Sequence, residues 1–223
     1  MQVWHSHENE DESCFSIPGS AIESDVSTLV YRYLFPALWL SWAAYWWAAS
    51  RGAKPAERQE PLGSRLLHVL PLLLAVGLLW PDQVLGSFLN ERLFPWAPWQ
   101  FWLAALITAA GLLFAVWARV HLARNWSGTV TIKRDHELIA SGPYAIVRHP
   151  IYTGLLAAFI GSAMARGEWR GVLAVLVVWA AFWRKLRLEE RWMTERFGER
   201  YTAYKRRVPA LVPFRKHGQE PPT

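Results

Sequence analysis

The stretch Trp99–Trp117 reads WQFWLAALITAAGLLFAVW and contains no charged residue. A helix needs about 20 predominantly apolar residues, with about 17 as the lower end, to cross a bilayer. This stretch meets that length, and so does the apolar run Leu29–Ser50. Three shorter apolar runs accompany them: Leu66–Trp80, Ile151–Ala165 and Val172–Trp183. We therefore predict an all-α integral membrane helical bundle with about five transmembrane helices.

The overall composition agrees with a membrane protein. Of the 223 residues, 52% are hydrophobic and 15 are Trp, and Trp is enriched at membrane–water interfaces. The single cysteine, Cys14, excludes an internal disulfide framework and a Cys-based zinc site. Outside residues 1–28 no two His have metal-ligand spacing on one helix face, so no metal is predicted. The net charge of +6 lies in blocks between the apolar runs, which argues against nucleic acid as a partner.

The density of Lys and Arg alternates along the chain and indicates its orientation. Residues 1–28 contain none, and the two loops after the first and second runs contain four and one. The segment 119–150 contains five, the next turn two, and the region after Trp183 eleven. Because basic residues collect on the cytoplasmic side, five spans place the N-terminus outside and a C-terminal helical segment in the cytoplasm. Four or six spans would break the alternation.

Residues 1–28 are acidic, with six Asp and Glu side chains. They lack the basic start and the apolar run of a secretory signal. Low hydrophobicity together with charge of one sign is typical of disorder. We therefore predict a disordered acidic tail over these residues.

The segment 141–154 reads SGPYAIVRHPIYTG and leads into the fourth apolar run. Gly142 and Pro143 signal a turn, and Pro150 suits the first position of a helix. The N-terminus of such a helix favours an anion. Four side chains would surround that anion: Tyr144, Arg148, His149 and Tyr152. An equally supported alternative is that these side chains only anchor the helix end among lipid headgroups.

Two carboxylates fall on the apolar face of the helix that continues the fifth run. At 100° per residue, Glu189 and Glu190 share a stripe with apolar side chains: Trp179, Phe182, Trp183, Leu186, Met193 and Phe197. Burying carboxylates costs free energy unless they have partners. Intrahelical pairs of Lys185 with Glu189 and of Arg187 with Glu190 are the structural alternative, but they contribute only about 0.3–0.5 kcal/mol each. We therefore interpret the two glutamates as site residues.

Other sequence signals narrow the class of protein. The glycine-rich, P-loop, HExxH and GxSxG motifs are absent from the chain, so no Rossmann domain is predicted. The segment 201–214 is basic and aromatic, which is typical of a surface anchor on anionic lipid. Such an anchor is compatible with a second role in covering a cofactor.

These segments together resemble the isoprenylcysteine carboxyl methyltransferase (ICMT) and phospholipid methyltransferase-like family. The motifs that carry the resemblance are Gly142-Pro143-Tyr144, Arg148 to Gly154, Glu189-Glu190, Phe197-Gly198, Tyr201, Tyr204, Val208-Pro209 and Pro213, with Asn125-Trp126-Ser127 as a further element. The resemblance covers the chain from Trp99 to Phe214. It implies an ICMT-like methyltransferase core over 99–214 and does not include the segments before it. Together with the charge and hydropathy pattern, this predicts three further parts: the tail 1–28, two N-terminal transmembrane helices with their loops over 29–98, and a C-terminal tail over 215–223.

The resemblance implies an integral membrane methyltransferase that uses S-adenosylmethionine near the cytoplasmic face. Arg187 and Glu189 are the implied catalytic residues, and Arg187 is the candidate for holding the acceptor carboxylate. Arg184 and Lys185 are close to it in register. The implied cofactor-binding residues are Gly142, Pro143, Tyr144, His149, Tyr152, Glu189 and Glu190. A glutamate suits the ammonium or ribose of the cofactor, and His149 suits its carboxylate.

The chemistry of methyl transfer fits this set of residues. A carboxylate acceptor is already a nucleophile at neutral pH, so the site has to supply alignment and exclusion of water. An Arg can hold such a carboxylate bidentately, whereas an amine or thiol acceptor would give a carboxylate base more importance. We expect a lipophilic small molecule or a lipidated substrate that enters from the membrane, with membrane lipids as the other partners.

Three alternatives remain at this level. Membrane sterol reductases share a similar Arg-His-Pro-x-Tyr-x-Gly element and bind NADPH, but they are longer and differ around the final Tyr and Val-Pro residues. Relatives of the same architecture methylate phospholipid amines or small thiols. A non-catalytic membrane subunit would bind no cofactor. Only the site, and not the fold, discriminates among these functions.

Overall fold

The computed structural model describes residues 30–51, 56–59, 61–79, 87–95, 97–122, 131–133 and 138–213. The predicted tails 1–28 and 215–223 and the element Asn125-Trp126-Ser127 lie outside the described residues. A π-helical turn, Val30–Leu34, leads into the first α-helix. The helices are α1 (Phe35–Ser50), α2 (Leu62–Leu79), α3 (Pro98–Leu122), α4 (Pro143–Ile146), α5 (Pro150–Arg166), α6 (Trp169–Phe197) and α7 (Glu199–Arg207).

The five predicted apolar runs correspond to α1, α2, α3, α5 and α6, and the first also includes the π-helical turn before α1. Among the described residues, α2 with 18 residues and α3 with 25 are long and apolar enough to cross a membrane. The prediction of sufficient length is confirmed for the third run, and the second run, predicted to be short, lies in a longer helix. The helix α2 begins at Leu62 because Gly63, Ser64 and Arg65 join it, while the regular part of α1 has 16 residues.

A short sheet departs from the all-α prediction. Strand β1 (Ala56–Gln59) pairs antiparallel with strand β2 (Thr131–Lys133). The pairing joins the segment after α1 to the segment after α3. Backbone N–H and C=O groups between helices need partners, and strands of four and three residues are too short to give a readable alternation in the sequence.

The segment before the N-terminal end of α3 packs against the turn between α5 and α6. A 3-10 turn, Ser87–Asn90, precedes this segment. Leu93 donates a backbone hydrogen bond of 2.8 Å to the Gly167 carbonyl, and Trp169 donates one of 3.3 Å to the Glu91 carbonyl. Gly167 closes α5 with φ of +63°, a conformation that favours glycine.

Small residues bring α3 and α5 into close contact. A Cβ atom added at Gly154 would clash with the carbonyl oxygen of Gly111 and lie 2.8 Å from the Ala115 nitrogen. Thr108, fully buried on α3, bonds the Ala158 carbonyl across the same contact at 3.4 Å. Stripes of small residues allow such close approach between membrane helices. This rigid pair holds the N-terminus of α5 beside α6.

The main apolar core lies where α2, α5 and α6 meet. It is built from Ala75, Leu78, Leu79, Tyr152, Phe159, Ala163, Ala174, Val178, Phe182, Leu186 and Leu211. Trp39 of α1 adds to this core: its ring packs in a tilted orientation against Phe159, with the ring centres 4.8 Å apart, and its indole N–H donates to the Ser162 hydroxyl at 3.1 Å. The core therefore reaches the region where Tyr152 and Leu186 border the polar residues described below.

The glycine contact gives a first testable prediction. Gly154→Ala is expected to destabilise the protein by about 1–3 kcal/mol, because the added methyl group overpacks a closed contact. Gly77→Ala is the matched control, since nothing lies within 4 Å of the position of its Cβ, and alanine is the better helix former by about 0.5–1 kcal/mol. Unfolding in detergent measures both variants. Equal stability of the two variants would contradict the close packing.

Candidate active site

The start of α5 and the second half of α6 bring together four residues singled out in the sequence. His149 precedes α5 and Tyr152 lies in its first turn. The His149 Nε2 atom lies 3.2 Å from Glu190 Oε1, and its Nδ1 atom lies 3.5 Å from Glu189 Oε2. The Tyr152 hydroxyl donates a hydrogen bond to Glu189. The four residues form one cluster, which we call the His-Tyr-Glu-Glu cluster.

Electrostatics favours a charged His149 in this cluster. Burial by itself lowers the pKa of His149, but the hydrogen bonds and charges of Glu189 and Glu190 outweigh it and raise the pKa above its usual value. The protonated imidazole can donate from both ring nitrogens, one toward each glutamate, whereas the neutral ring donates from only one. The sequence suggested His149 as a partner for a cofactor carboxylate, whereas in the structure the ring lies between two carboxylates of the protein itself.

Glu190 is the most fully paired group of the cluster. Arg148 donates to its Oε1 from Nε at 2.9 Å and from a terminal nitrogen at 2.7 Å. Lys205 of α7 lies 2.9 Å from its Oε2. Burial by itself raises the pKa of Glu190, but His149, Lys205 and Arg148 reverse this and hold the pKa at about 2. The partners come from outside α6, so the intrahelical pair of Arg187 with Glu190 does not account for this carboxylate.

Glu189 is the more open of the two carboxylates. Its side chain is 27% exposed, against 11% for Glu190. Burial raises the pKa of Glu189, while His149, Lys185 and Tyr152 together lower it below its usual value. The Lys185 ammonium lies 5.5 Å from the centre of the Tyr152 ring. Glu189 is thus an ionised carboxylate with one side available to a ligand.

The segment after α7 closes over the start of α5. The backbone N–H groups of Arg148 and His149 donate to the carbonyls of Pro209 and Ala210 at 2.8 and 3.0 Å, respectively. The Arg148 guanidinium donates to the Lys205 carbonyl at 3.1 Å and also to the Val208 carbonyl. The two backbone N–H groups just before α5 are therefore bound by carbonyls of the chain, and the charge of Arg148 is paired with Glu190.

Gly142, Pro143 and Tyr144 form the wall next to the cluster. Gly142 has φ of +57°, and a Cβ there would lie 2.7 Å from the ring of His121. The His121 ring in turn lies 2.9 Å from the Ser141 hydroxyl oxygen. Tyr144 is buried, and its carbonyl accepts a hydrogen bond of 2.6 Å from the Tyr204 hydroxyl. Burial, followed by the charge of Glu189, raises the pKa of Tyr144, so this phenol stays neutral near the cluster.

The three basic candidates on α6 point to different places. Arg184 donates to the carbonyl and hydroxyl oxygens of Ser64 on α2 at 3.2 and 3.0 Å. Lys185 lies at the cluster beside Tyr152. Arg187 stacks on Trp183 at 4.8 Å and lines a groove of about 740 Å³ on the other flank of Glu190.

Two residues of this region were not singled out from the sequence. Lys205 is a partner of Glu190, and its only signal was its place directly after Tyr204 in the C-terminal motif. His121 supports Gly142 and stacks on Tyr144 at 6.4 Å. Nothing in the sequence marked it, because the contact joins the end of α3 to a turn 20 residues later.

Comparison with known proteins shows what this part of the chain is similar to. The phospholipid methyltransferase family model matches residues 99–200. The chain is 35% identical over 100 residues to the protein-S-isoprenylcysteine O-methyltransferase of Schizosaccharomyces pombe, covering 44% of this chain and 42% of that protein. We call residues 99–200 the ICMT-like region for this similarity. The resemblance predicted from the motifs is therefore confirmed over this part of the chain, as a similarity to these proteins.

Two further matches extend over more of the chain. The cobalt-zinc-cadmium resistance protein CzcN of Cupriavidus metallidurans is 32% identical over 134 residues, covering 58% of this chain and 60% of that protein. The solved structure of the eukaryotic intramembrane Ras methyltransferase ICMT matches with a TM-score of 0.50 and 23% identity, covering 67% of this chain and 63% of that one. That likeness concerns the fold. The ICMT-like match spans less than half the length of the S. pombe relative.

The ICMT-like region contains most of the site. Residues 99–200 include α3, α5 and α6, and therefore His149, Tyr152, Glu189 and Glu190. Lys205 and the carbonyls of residues 208–211 that bind Arg148, His149 and Thr153 lie just beyond it. The segment after α7 thus completes a cluster whose other members come from the matched region.

Proposed function

We propose that this chain is an integral membrane methyltransferase that transfers a methyl group from S-adenosylmethionine to a carboxylate of a lipophilic acceptor, as in isoprenylcysteine carboxyl O-methylation. The observation that carries the proposal is the His-Tyr-Glu-Glu cluster. It unites the two motifs of an ICMT-like region at the end of an apolar helical bundle. The names of the ICMT relatives support the reaction class.

The donor set of the cluster fits this cofactor. S-adenosylmethionine presents an ammonium, a carboxylate, two ribose hydroxyls and a cationic sulfonium. The open carboxylate of Glu189 suits the ammonium or ribose. Gly142 and Pro143 shape the neighbouring wall. His149 and Glu190 act by orienting Glu189 and Arg148, since their polar atoms already have protein partners.

The residues would act by positioning. When bound, the cofactor supplies an activated methyl group whose bond to sulfur breaks as the acceptor oxygen bonds to carbon, with the electron pair passing to sulfur. The chain has to align the acceptor carboxylate with that bond and exclude water.

Arg187 is our candidate for holding the carboxylate, with Lys185 as the competing candidate beside the cluster. We expect Arg187→Gln to raise the acceptor KM about 10-fold or more, as for a lost charged hydrogen bond, and Lys185→Gln to leave it unchanged.

Binding tests this function most directly. We expect calorimetry on the detergent-purified protein to detect S-adenosylhomocysteine and not NADPH. Transfer of labelled methyl to a small S-prenylated cysteine then tests the acceptor. Binding of NADPH alone would replace the proposal with the reductase alternative. Binding of neither, in a sample that elutes as folded protein, would leave a non-catalytic membrane protein. Labelled methyl on a phospholipid amine or a thiol would keep the enzyme class and change the acceptor.

We also propose five spans, with the N-terminus outside and the C-terminus in the cytoplasm. The spans are α1, α2, α3, α5 and the apolar part of α6. The loop contacts support this arrangement. Strands β1 and β2 follow α1 and α3 and pair with each other, and both fall on the cytoplasmic side. The segment before α3 bonds to the turn after α5, and both fall outside.

Reporter fusions test this orientation. A fluorescent protein fused at the C-terminus is expected to fluoresce, while alkaline phosphatase fused there is expected to be inactive, because the phosphatase needs the oxidising exterior for its disulfides. The matched control is a fusion after Gly167, in the turn assigned to the outside. There the phosphatase is expected to be active and the fluorescent protein is expected not to fluoresce. Phosphatase activity at the C-terminal fusion would refute the orientation.

A further inference from the structure

A groove runs along the flank of α6 that faces away from Glu189. Its volume is about 740 Å³, and Trp183 and Leu186 form its apolar wall. Arg187, Arg191 and Thr194 continue along the same helix face, and Lys205 of α7 lies across from them. The groove therefore changes from apolar to strongly polar along its length.

The groove carries an excess of positive charge. Four of its lining side chains are basic and two, Glu190 and Glu195, are acidic. Glu190 is already paired with Arg148, His149 and Lys205. Among the ion pairs and hydrogen bonds of the described residues, none involves the guanidinium of Arg191, which is exposed. This guanidinium is available to an anion in the groove.

The apolar end of the groove continues into the face of α6 that a membrane would cover. Val172, Leu176, Trp179 and Trp183 are 39%, 56%, 46% and 38% exposed, and their spacing of four, three and four residues places them on one stripe. The rings of Trp179 and Trp183 stack at 5.8 Å. Exposed Trp at the end of an apolar helix is typical of the membrane interface. A ligand of this surface has an apolar chain along the stripe and an anionic group in the groove.

We propose that the groove binds the phosphate group of an anionic membrane phospholipid, with Arg191 as its principal contact. The planar guanidinium donates two parallel hydrogen bonds to phosphate oxygens, and the acyl chains follow the stripe that ends at Trp183. The site shares Arg187 with the acceptor position of the proposed function, and it borders the His-Tyr-Glu-Glu cluster through Arg148 and Glu190. Arg191 lies outside both assignments. Arg187 is left out of the test because the proposed function assigns it to the acceptor.

Native mass spectrometry of the full-length protein in detergent tests the site. The lipids are phosphatidylglycerol and phosphatidylcholine, titrated separately and as an equimolar mixture. We expect phosphatidylglycerol to bind the wild type about fivefold more tightly, the factor expected for one basic residue near an anionic group. Arg191→Gln should remove that preference. Arg191→Lys should retain part of it, because lysine keeps the positive charge but lacks the planar guanidinium with its two parallel donors. Arg196→Gln is the matched control, since Arg196 is exposed on the same helix and does not line the groove.

The outcomes separate this site from general electrostatics. Equal affinity of the wild type for the two lipids would overturn the proposal, and so would equal losses in the Arg191 and Arg196 variants. Displacement of phosphatidylglycerol by inorganic phosphate would overturn the role of the apolar stripe. Unchanged elution on size exclusion establishes that each variant is folded. The readout needs neither cofactor nor turnover, so failure of the proposed methyltransferase would leave this test intact.

Discussion

Glu190→Gln is expected to destabilise the protein by about 3–5 kcal/mol, because it leaves the partners of a buried carboxylate without their counter-charge. Arg148, His149 and Lys205 all lie within 3.2 Å of this carboxylate. Arg148 also holds the segment after α7 through the Lys205 and Val208 carbonyls. The loss is therefore expected to loosen that segment together with the cluster. Unfolding in detergent, followed by protease sensitivity of the C-terminal segment, measures both effects.

The dependence of this effect on pH has a definite direction. The pKa of Glu190 is lowered to about 2, so its pairing stabilises the protein at every pH above the ordinary glutamate pKa of about 4.3. The difference between wild type and Glu190→Gln is expected to stay constant from neutral pH down to that point and to shrink below it. Glu199→Gln is the control, because Glu199 is 91% exposed and surface substitutions stay within about 0.5 kcal/mol. A Glu190 variant as stable as this control would contradict the buried network.

Glu189→Gln is expected to act on the ligand more than on the fold. Its carboxylate is partly open, and a hydrogen bond to a charged group contributes about 1.5–3 kcal/mol, which corresponds to a loss of about 10- to 100-fold in S-adenosylhomocysteine affinity. Tyr152→Phe removes the hydroxyl that donates to Glu189 and should produce a smaller loss. Calorimetry measures both variants.

The comparison between the two glutamates is the sharpest check of their separate roles. If Glu189 contacts the ligand and Glu190 positions the cluster, Glu189→Gln lowers affinity with little loss of stability, whereas Glu190→Gln lowers both. Glu199→Gln should change neither quantity. Unchanged affinity in both cluster variants would remove the carboxylates from the cofactor site.

The sequence predicted the bundle well because its signal is local. Each of the five apolar runs is a contiguous stretch, and each corresponds to one helix. Helix ends were less accurate: α2 begins already at Leu62 because a few polar residues join its first turn. The pairing of β1 with β2 was missed, since it joins short segments separated by more than 70 residues and leaves no periodicity to read.

The amino-acid sequence by itself predicted four residues that the structure brings together in one cluster. Glu189 and Glu190 were recognisable because carboxylates on an apolar helical face need partners, and His149 and Tyr152 because they lie where a helix begins after a turn. Their partners were decided only by the tertiary structure. Arg148 binds Glu190 across 42 residues, and Lys205 of α7 completes the set. Ion pairs between distant segments depend on how helices pack, which periodicity along one helix does not encode. The same packing brings the backbone N–H groups of Arg148 and His149 to carbonyls of the segment after α7, and the ring of His149 to the two glutamates.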